Sequence, residues 1–432
     1  MKNITSIFYI LLMGTSLFAQ PIPAPDQKNP IAIKGGTIHC ASGRTLENGV
    51  IAFENGKITV LEVGMRSNLI NQDKYTWIDA TGKQIYPGLI ALNTQLGLSE
   101  IEAVRSTNDY DELGSYNPNV RVVSSYNTDS QILPTIRSNG ILMAQVVPVG
   151  GVISGTAAVM ELDGWNWEDA VYKKEEGVFM NWPYAAPPQR ERERLENPEQ
   201  PKPVDEFERQ VKEIRSFLDQ SSAYAQKTSV EEVNLRFEGM KNILKGIQKL
   251  YVRANTAREM QSAIALLKEY KVTPVIVGGQ EAWRIAKLLK DNNIAVIYTN
   301  THRLPQFEDD DVAQAFEAPA QLANAGVNVM ICVDGFWQVR NLAFQVGQAI
   351  PYGLNKEAAL DGMTINAAKM LGIDKTTGSL EIGKDATLII SDGDIFDMRT
   401  NNITRAFIRG KDIDLDNKQK QLYRKYKQKY GL

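Results

Sequence analysis

Apolar and polar positions along the chain follow two regimes. From Ile31 to about Ile85 they alternate in short runs with turn punctuation: IAIKGGTIHC, then GVIAFENGKITVLEV with a turn at Asn55-Gly56, then YTWIDATGKQIYPG. A period of two is what a half-buried strand requires, and Asn-Gly between such runs is a strong hairpin signal. This part predicts a small β domain. The same pattern returns in GSLEIGKDATLIISDGDIFDMRTNNITRAFIRGKDI, residues 378–413. Two strand-rich segments flanking everything else predict one sheet domain assembled from both ends of the chain.

Between them, continuous apolar runs alternate with helical periodicity. Strand candidates are GLIALNT, ILMAQVVPV, KLYVRA, TPVIVGG, IAVIYTN and VNVMICVD. The stretches TAREMQSAIALLKEY, QEAWRIAKLLKDN, VAQAFEAPAQLANAG and RNLAFQVGQAIPYG each carry an apolar stripe at three- and four-residue spacing, the mark of a helix with one buried face. Strand-helix alternation implies a mainly parallel sheet. Four repeats in the second half and two strands earlier predict an α/β fold, a TIM-like (β/α)8 barrel over a doubly wound sheet, although the pattern leaves strands three and four unplaced. Residues 165–225 interrupt the scheme with PYAAPPQRERERLENPEQPKPVDEFERQ, rich in proline and in both signs of charge. They read as an exposed insertion ending in a helix, either a solvated excursion or a lid or partner-docking element. The domains expected are therefore 28–85 and 376–432 for the small β domain and 86–375 for the barrel with its insertion.

Composition narrows the partners. With 432 residues, 43% hydrophobic and 23% charged, the chain has the make-up of an ordinary globular protein and can build a full core. A net charge of −3 argues against a nucleic-acid binder, which shows a basic excess; small molecules or proteins fit better. The opening MKNITSIFYILLMGTSLFAQ has a lysine, an apolar run from Ile7 to Leu12 and a plausible cut after Ala19. It reads as a secretory signal over residues 1–19, because that run falls short of the ~20 residues that span a bilayer. A secreted or periplasmic protein with no transmembrane segment after signal removal follows. Cys40 and Cys332 fall in different expected domains and read as buried thiols, with a disulfide left open. The stretch KQKQLYRKYKQKY sets Tyr423, Tyr426 and Tyr430 near one face of a basic helix, read as a solvated cap packing its tyrosines on the small domain or as a contact for an anionic surface.

Motif chemistry is sparse. PVGGVISGTAAV is glycine-rich but lacks the lysine and hydroxyl of a phosphate loop. The chain has two histidines, His39 in the small domain and His302 in TNTHRLP, so neither a three-histidine metal site nor a Ser-His-Asp set can be argued. His302 falls at the catalytic end of the expected barrel and His39 reads as structural. Glu100 and Glu281 are carboxylates available in principle for acid-base work, with Glu281 also readable as a helix-start residue.

The elements carry a resemblance. YPGLIALNTQ, GGQEAWRIAKLL after a strand and INAAKMLGIDKTTGSLEIGKDATLIISDGD, with the β domain split between the two ends, resemble the metal-dependent amidohydrolase superfamily and most closely its imidazolonepropionase-like branch. The similarity covers nearly the whole chain after the signal. It implies a TIM-like barrel beside a composite β-sandwich, hydrolysis of C-N bonds in linear or cyclic amides, and a divalent metal at the C-terminal mouth that lowers the pKa of a bound water. The family pattern implies an HxH on strand one, one histidine each on strands five and six, and an aspartate on strand eight.

Carried over residue by residue, that pattern is depleted. The aspartate before the HxH is Ala91, and the two histidines are Asn93 and Gln95, neutral amides that are poor ligands for zinc-like ions. The strand-five ligand is Arg253 in YVRANTAREM, the strand-six ligand is Gly278 in IVGGQEAW, and Asp334 in MICVDGF alone keeps the family identity. The expectation is a pocket at the former ligand positions Asn93, Gln95, Arg253 and Gly278, Asp334 as the one catalytic candidate, and no metal or other cofactor. Arg253 is expected to fill the volume of the missing ion and pair with Asp334; the alternative has Arg253 turned to solvent and Asp334 capping local backbone. The functional expectation is a catalytically impaired binding or structural subunit, with a small molecule in the barrel mouth, forming a homo-oligomer or pairing with a metal-competent related amidohydrolase. The alternative is an active amidohydrolase with a zinc-like ion in a non-standard site built from Asp334 and oxygen ligands, or with no metal.

Overall fold

The computed structural model describes residues 22–64, 72–185, 203–227, 229–305 and 310–431. The signal-peptide expectation falls on residues 1–19, outside the described residues. The chain opens with β1 (Ile31–Ala41), β2 (Arg44–Glu54), β3 (Lys57–Val63), β4 (Thr76–Asp79) and β5 (Gln84–Pro87). The hairpin between β2 and β3 turns at Asn55 and Gly56, both with positive φ (53° and 75°), the left-handed conformation that Asn-Gly adopts at least cost. The chain closes with β16 (Leu388–Ser391), β17 (Ile403–Ile408) and β18 (Lys411–Asp412). These join the opening strands in one eight-stranded sheet, where β16 pairs antiparallel with β5.

Between them lie β6 (Leu89–Thr94), β7 (Ile141–Val146), β8 (Ile153–Thr156), β9 (Ala158–Glu161), β10 (Val171–Lys173), β11 (Gly177–Asn181), β12 (Lys249–Ala254), β13 (Pro274–Gly278), β14 (Val296–Thr299) and β15 (Val329–Cys332). They form a four-stranded sheet in the order β10-β9-β7-β6 and a six-stranded sheet in the order β15-β14-β13-β12-β11-β8. From β11 to β15 every neighbour is parallel. Helices follow these strands, as in Ala257–Glu269, whose start is fixed by a capping box between Thr256 and Glu259. The body is thus mixed α/β, with β6 and β15 in contact where the two sheets meet.

Alternate residues of both sheets feed one buried cluster: Ile90 and Leu92 of β6, Met143 of β7, Val159 of β9, Phe179 of β11, Tyr251 of β12, Val275 and Val277 of β13, Ile297 of β14, and Cys332 of β15. Period-two alternation sends these inward while their neighbours face the helices.

Two expectations need correction here. The stretch 165–225 is not an exposed insertion throughout: β11 lies inside it, buried over four of five residues and paired with β12. Five residues between YKKEE and a proline-rich run carry too little periodicity to stand out. The tyrosines of the basic helix Lys418–Tyr430 do not pack on the small sheet; Tyr423, Tyr426 and Tyr430 are 66%, 48% and 65% exposed. Both cysteines are buried and free, so the disulfide left open does not form. No helix among the described residues is long and apolar enough to cross a membrane.

Candidate functional site

Arg253 is the penultimate residue of β12, two residues after Tyr251, so both side chains leave the same face of the strand. Its guanidinium reaches across the strand ends into a ring of neutral oxygens. Nη2 donates to Asn93 Oδ1 at 3.2 Å and to the Pro148 carbonyl at 3.0 Å. Nη1 donates to Asn181 Oδ1 at 3.2 Å and to Ser154 Oγ at 3.5 Å. One face lies over the Phe179 ring, 4.7 Å from its centre, an arrangement that favours a cation. Burial lowers the Arg253 pKa to about 10, opposed by the charge of Asp334. The side chain therefore stays cationic at neutral pH.

Asn93 reaches this point through a distortion. Ile90 and Leu92 face the interior, so strict alternation would turn Asn93 away from it. Instead the β6–β7 register slips between Ala91 and Thr94, and Asn93 takes φ 52°, a left-handed conformation that asparagine tolerates better than most residues. Its amide then meets both Arg253 and Cys332, whose Sγ is 3.9 Å from Nδ2. The same slip breaks the shared face assumed for positions 93 and 95: Gln95 is half-buried and makes no hydrogen bond to this set.

The other two positions also stand apart. Gly278 has φ 102°, and a Cβ there would lie 2.4 Å from Asn255 Oδ1; the site has neither the conformation nor the room for a side-chain ligand. Asp334 is exposed. Its amide donates to Asn300 Oδ1 at 2.9 Å and its carboxylate accepts from the Gly335 amide at 3.1 Å. The expected Arg253–Asp334 ion pair does not form, because the four terminal N–H bonds of the guanidinium go to neutral oxygens and the Asp334 carboxylate accepts from the neighbouring Gly335 amide.

Sequence reasoning missed four members of the cluster. Asn181 was hidden in the supposed insertion, and Ser154 and Pro148 bracket a glycine-rich turn without chemical markings. Cys332 was legible only as a buried thiol; burial raises its pKa to about 11, opposed by contacts from Thr299 and Asn93. Beneath the guanidinium runs a buried polar chain. The Asn93 amide donates to Gln145 Oε1 at 3.2 Å, Gln145 Nε2 donates to Glu176 Oε2 at 2.7 Å, and Tyr251 Oη donates to Glu176 Oε1 at 2.7 Å. Tyr251 stacks on Phe179 at 4.6 Å, which returns the chain to Arg253. Burial raises the Glu176 pKa against those two hydrogen bonds.

The remaining candidates have local duties. Glu100 accepts from Ser130 Oγ at 2.6 Å and the Gln131 amide at 2.9 Å. Glu281 accepts from the Ala257 amide at 2.8 Å, at the start of a helix. His39 bonds Gln84 at 2.8 Å and stacks on Tyr86, and His302 is exposed and meets the Phe316 ring edge-on.

The donor set does not suit a metal. Among the described residues no three His, Cys, Asp or Glu side chains converge on a point where an ion could bind. A divalent ion about 4 Å from a fixed guanidinium would be repelled by about 8 kcal/mol at an effective dielectric near 20. Neutral carboxamides, which are weak ligands for such ions, do not offset that.

The comparisons agree with this architecture. Over most of its length the chain is similar to an amidohydrolase from Thermotoga maritima, at 24% identity over 89% of this chain and 99% of that one with a TM-score of 0.73. It is also similar to an adenosine deaminase from Xanthomonas campestris with bound zinc, at 15% identity over 94% and 98% of the two chains with a TM-score of 0.53. The fold is shared with both of these structures. More specifically, residues 225–413 match the amidohydrolase family, and 119 residues are 30% identical to a 5-methylthioadenosine/S-adenosylhomocysteine deaminase from Thermoanaerobacter pseudethanolicus. That match spans about a quarter of the relative's length (26%) and 25% of this chain.

Proposed function

We propose that this chain is an amidohydrolase-fold protein in which a guanidinium has taken the place of the catalytic ion, leaving a binding or structural subunit impaired in metal-dependent C-N hydrolysis. The observation that carries the reading is Arg253, its terminal N–H bonds spent on Asn93, Ser154, Asn181 and the Pro148 carbonyl. A protonated arginine there supplies positive charge but no Lewis acidity, because it has no empty orbital to polarise a carbonyl or acidify water. Closure of the two central sheets into a TIM-like (β/α)8 barrel beside a composite β domain is part of the proposal; the core cluster shared by both sheets supports it. So are secretion, a small-molecule ligand at the strand ends, and association with a metal-competent relative, which would restore hydrolysis to the assembly.

Metal analysis of the purified chain after dialysis, paired with an amidase and deaminase screen, tests the reading. The expected result is far less than one zinc, manganese or iron per chain and no turnover, with co-purification of a histidine-complete homologue. One tightly held ion per chain together with hydrolysis, both abolished by Asp334→Ala, would establish the active-enzyme alternative instead.

A further inference from the structure

The helix Lys418–Tyr430 has no role in the strand-end site. Asn417 caps it, accepting from the Lys420 amide, and its first turn is tied to the body: Asn417 Nδ2 donates to Ser138 Oγ at 2.9 Å and Thr135 Oγ1 donates to Gln419 Oε1 at 2.8 Å. From Gln421 onward every described residue is exposed. A helix fully wetted on all sides gains nothing from packing, and its sequence suits another kind of contact.

Residues 418–430 hold six basic side chains and no acidic one, in a chain of net charge −3, so the rest of the chain carries −9. At about 100° per residue, Leu422, Tyr423, Tyr426 and Tyr430 fall within one arc of about 100°. Lys418, Lys425 and Lys429 border that arc on one edge and Lys427 borders the other, while Gln421, Arg424 and Gln428 lie opposite. Arg424 is committed to Asp416 at 2.7 Å and Lys420 to the Leu415 carbonyl at 2.9 Å. Lys425, Lys427 and Lys429 meet no carboxylate among the described residues; each lies over a neighbouring tyrosine ring, 5.8, 6.0 and 5.3 Å from its centre.

We propose that this helix is an interfacial anchor that lays its tyrosine stripe into the headgroup layer of an anionic phospholipid surface. The bordering lysines then reach phosphates on both sides. A planar surface satisfies both borders at once while the phenol rings keep their hydroxyls wet, which is how amphipathic side chains settle at such a boundary. The excess negative charge on the rest of the chain holds that part off the same surface, so contact is confined to the helix. This proposal stands independently of the metal-site reading.

Flotation of the full chain with vesicles tests it. The expected result is binding to phosphatidylcholine vesicles containing phosphatidylglycerol, weakening as salt is raised, and none to phosphatidylcholine alone. Basic residues near an anionic surface contribute about fivefold each. The triple variant Lys425→Glu, Lys427→Glu, Lys429→Glu should therefore lower partitioning by about a hundredfold or more, with its thermal unfolding unchanged. A second variant, Tyr423→Ser with Tyr426→Ser and Tyr430→Ser, should lower it by a smaller factor at the same charge. Absence of binding to the anionic vesicles, equal binding to both vesicle types, or undiminished binding of the lysine variant would overturn the proposal.

Discussion

Two arginines are held inside this protein on opposite terms. Arg137 brings its counter-ion with it: Nη1 bonds Asp163 Oδ1 and the Leu162 carbonyl, both side chains of the ion pair are 7% exposed, and the second Asp163 oxygen accepts the Ala24 amide at 2.9 Å. Arg253 hydrogen-bonds to neutral oxygens, and Asp334, whose charge it feels, makes no ion pair with it. The first arrangement is how a fold usually buries a cation. The second leaves net positive charge at the strand ends, the place that the proposed reading gives to the replaced ion. The difference is that Arg137 is neutralised where it sits and Arg253 is solvated by protein oxygens without being neutralised.

The sharpest way to stress that contrast is to remove one cation at a time. Arg137→Met strands Asp163 without a partner in a dry site and should cost about 3–5 kcal/mol in urea unfolding. A related pair at the seam between the sheets adds pH dependence. Arg409 Nη2 bonds Glu161, whose side chain is 2% exposed, and burial pushes the Glu161 carboxyl up to about 7 from 4.5. A carboxyl raised on folding stabilises most when protonated, so its contribution is full below pH 4.5 and is lost as pH rises through 7. That contribution amounts to about 3 kcal/mol, and Glu161→Gln should flatten this part of the stability profile. Arg253→Met should cost less, about 1–3 kcal/mol, because it strands neutral acceptors and leaves no buried charge behind. The smallest effect belongs to Asp334→Asn, within about 0.5 kcal/mol by the same unfolding assay, since its carboxylate is exposed and bonded only to its own turn. A loss at Arg253 as large as that at Arg137 would show that the guanidinium has an ionic partner after all.

How much of this could be read from residues alone varies along the chain. The runs KLYVRA, TPVIVGG, IAVIYTN and VNVMICVD contain β12 to β15, because strands buried on both faces leave continuous apolar stretches. The alternating ends of the chain were equally clear and share one sheet. Strand β11 was not, since five residues between charged and proline-rich neighbours give no period to measure. At the site, residue identity was informative and geometry was not. Arg253 was singled out, but its partners depend on the left-handed turn at Asn93, which no side-chain pattern announces. That turn also separates Gln95 from Asn93, against the rule that alternate residues share a face. Asp334 matched by identity while its environment is a solvent-exposed turn.

The most direct test of the central claim is anomalous diffraction at the zinc edge from crystals of the full chain grown with excess zinc. The account predicts continuous density for the Arg253 guanidinium against Asn93, Asn181 and the Pro148 carbonyl, with no anomalous peak among the strand ends. A strong peak there, with Arg253 swung aside and Asp334 turned in to hold the ion, would contradict it.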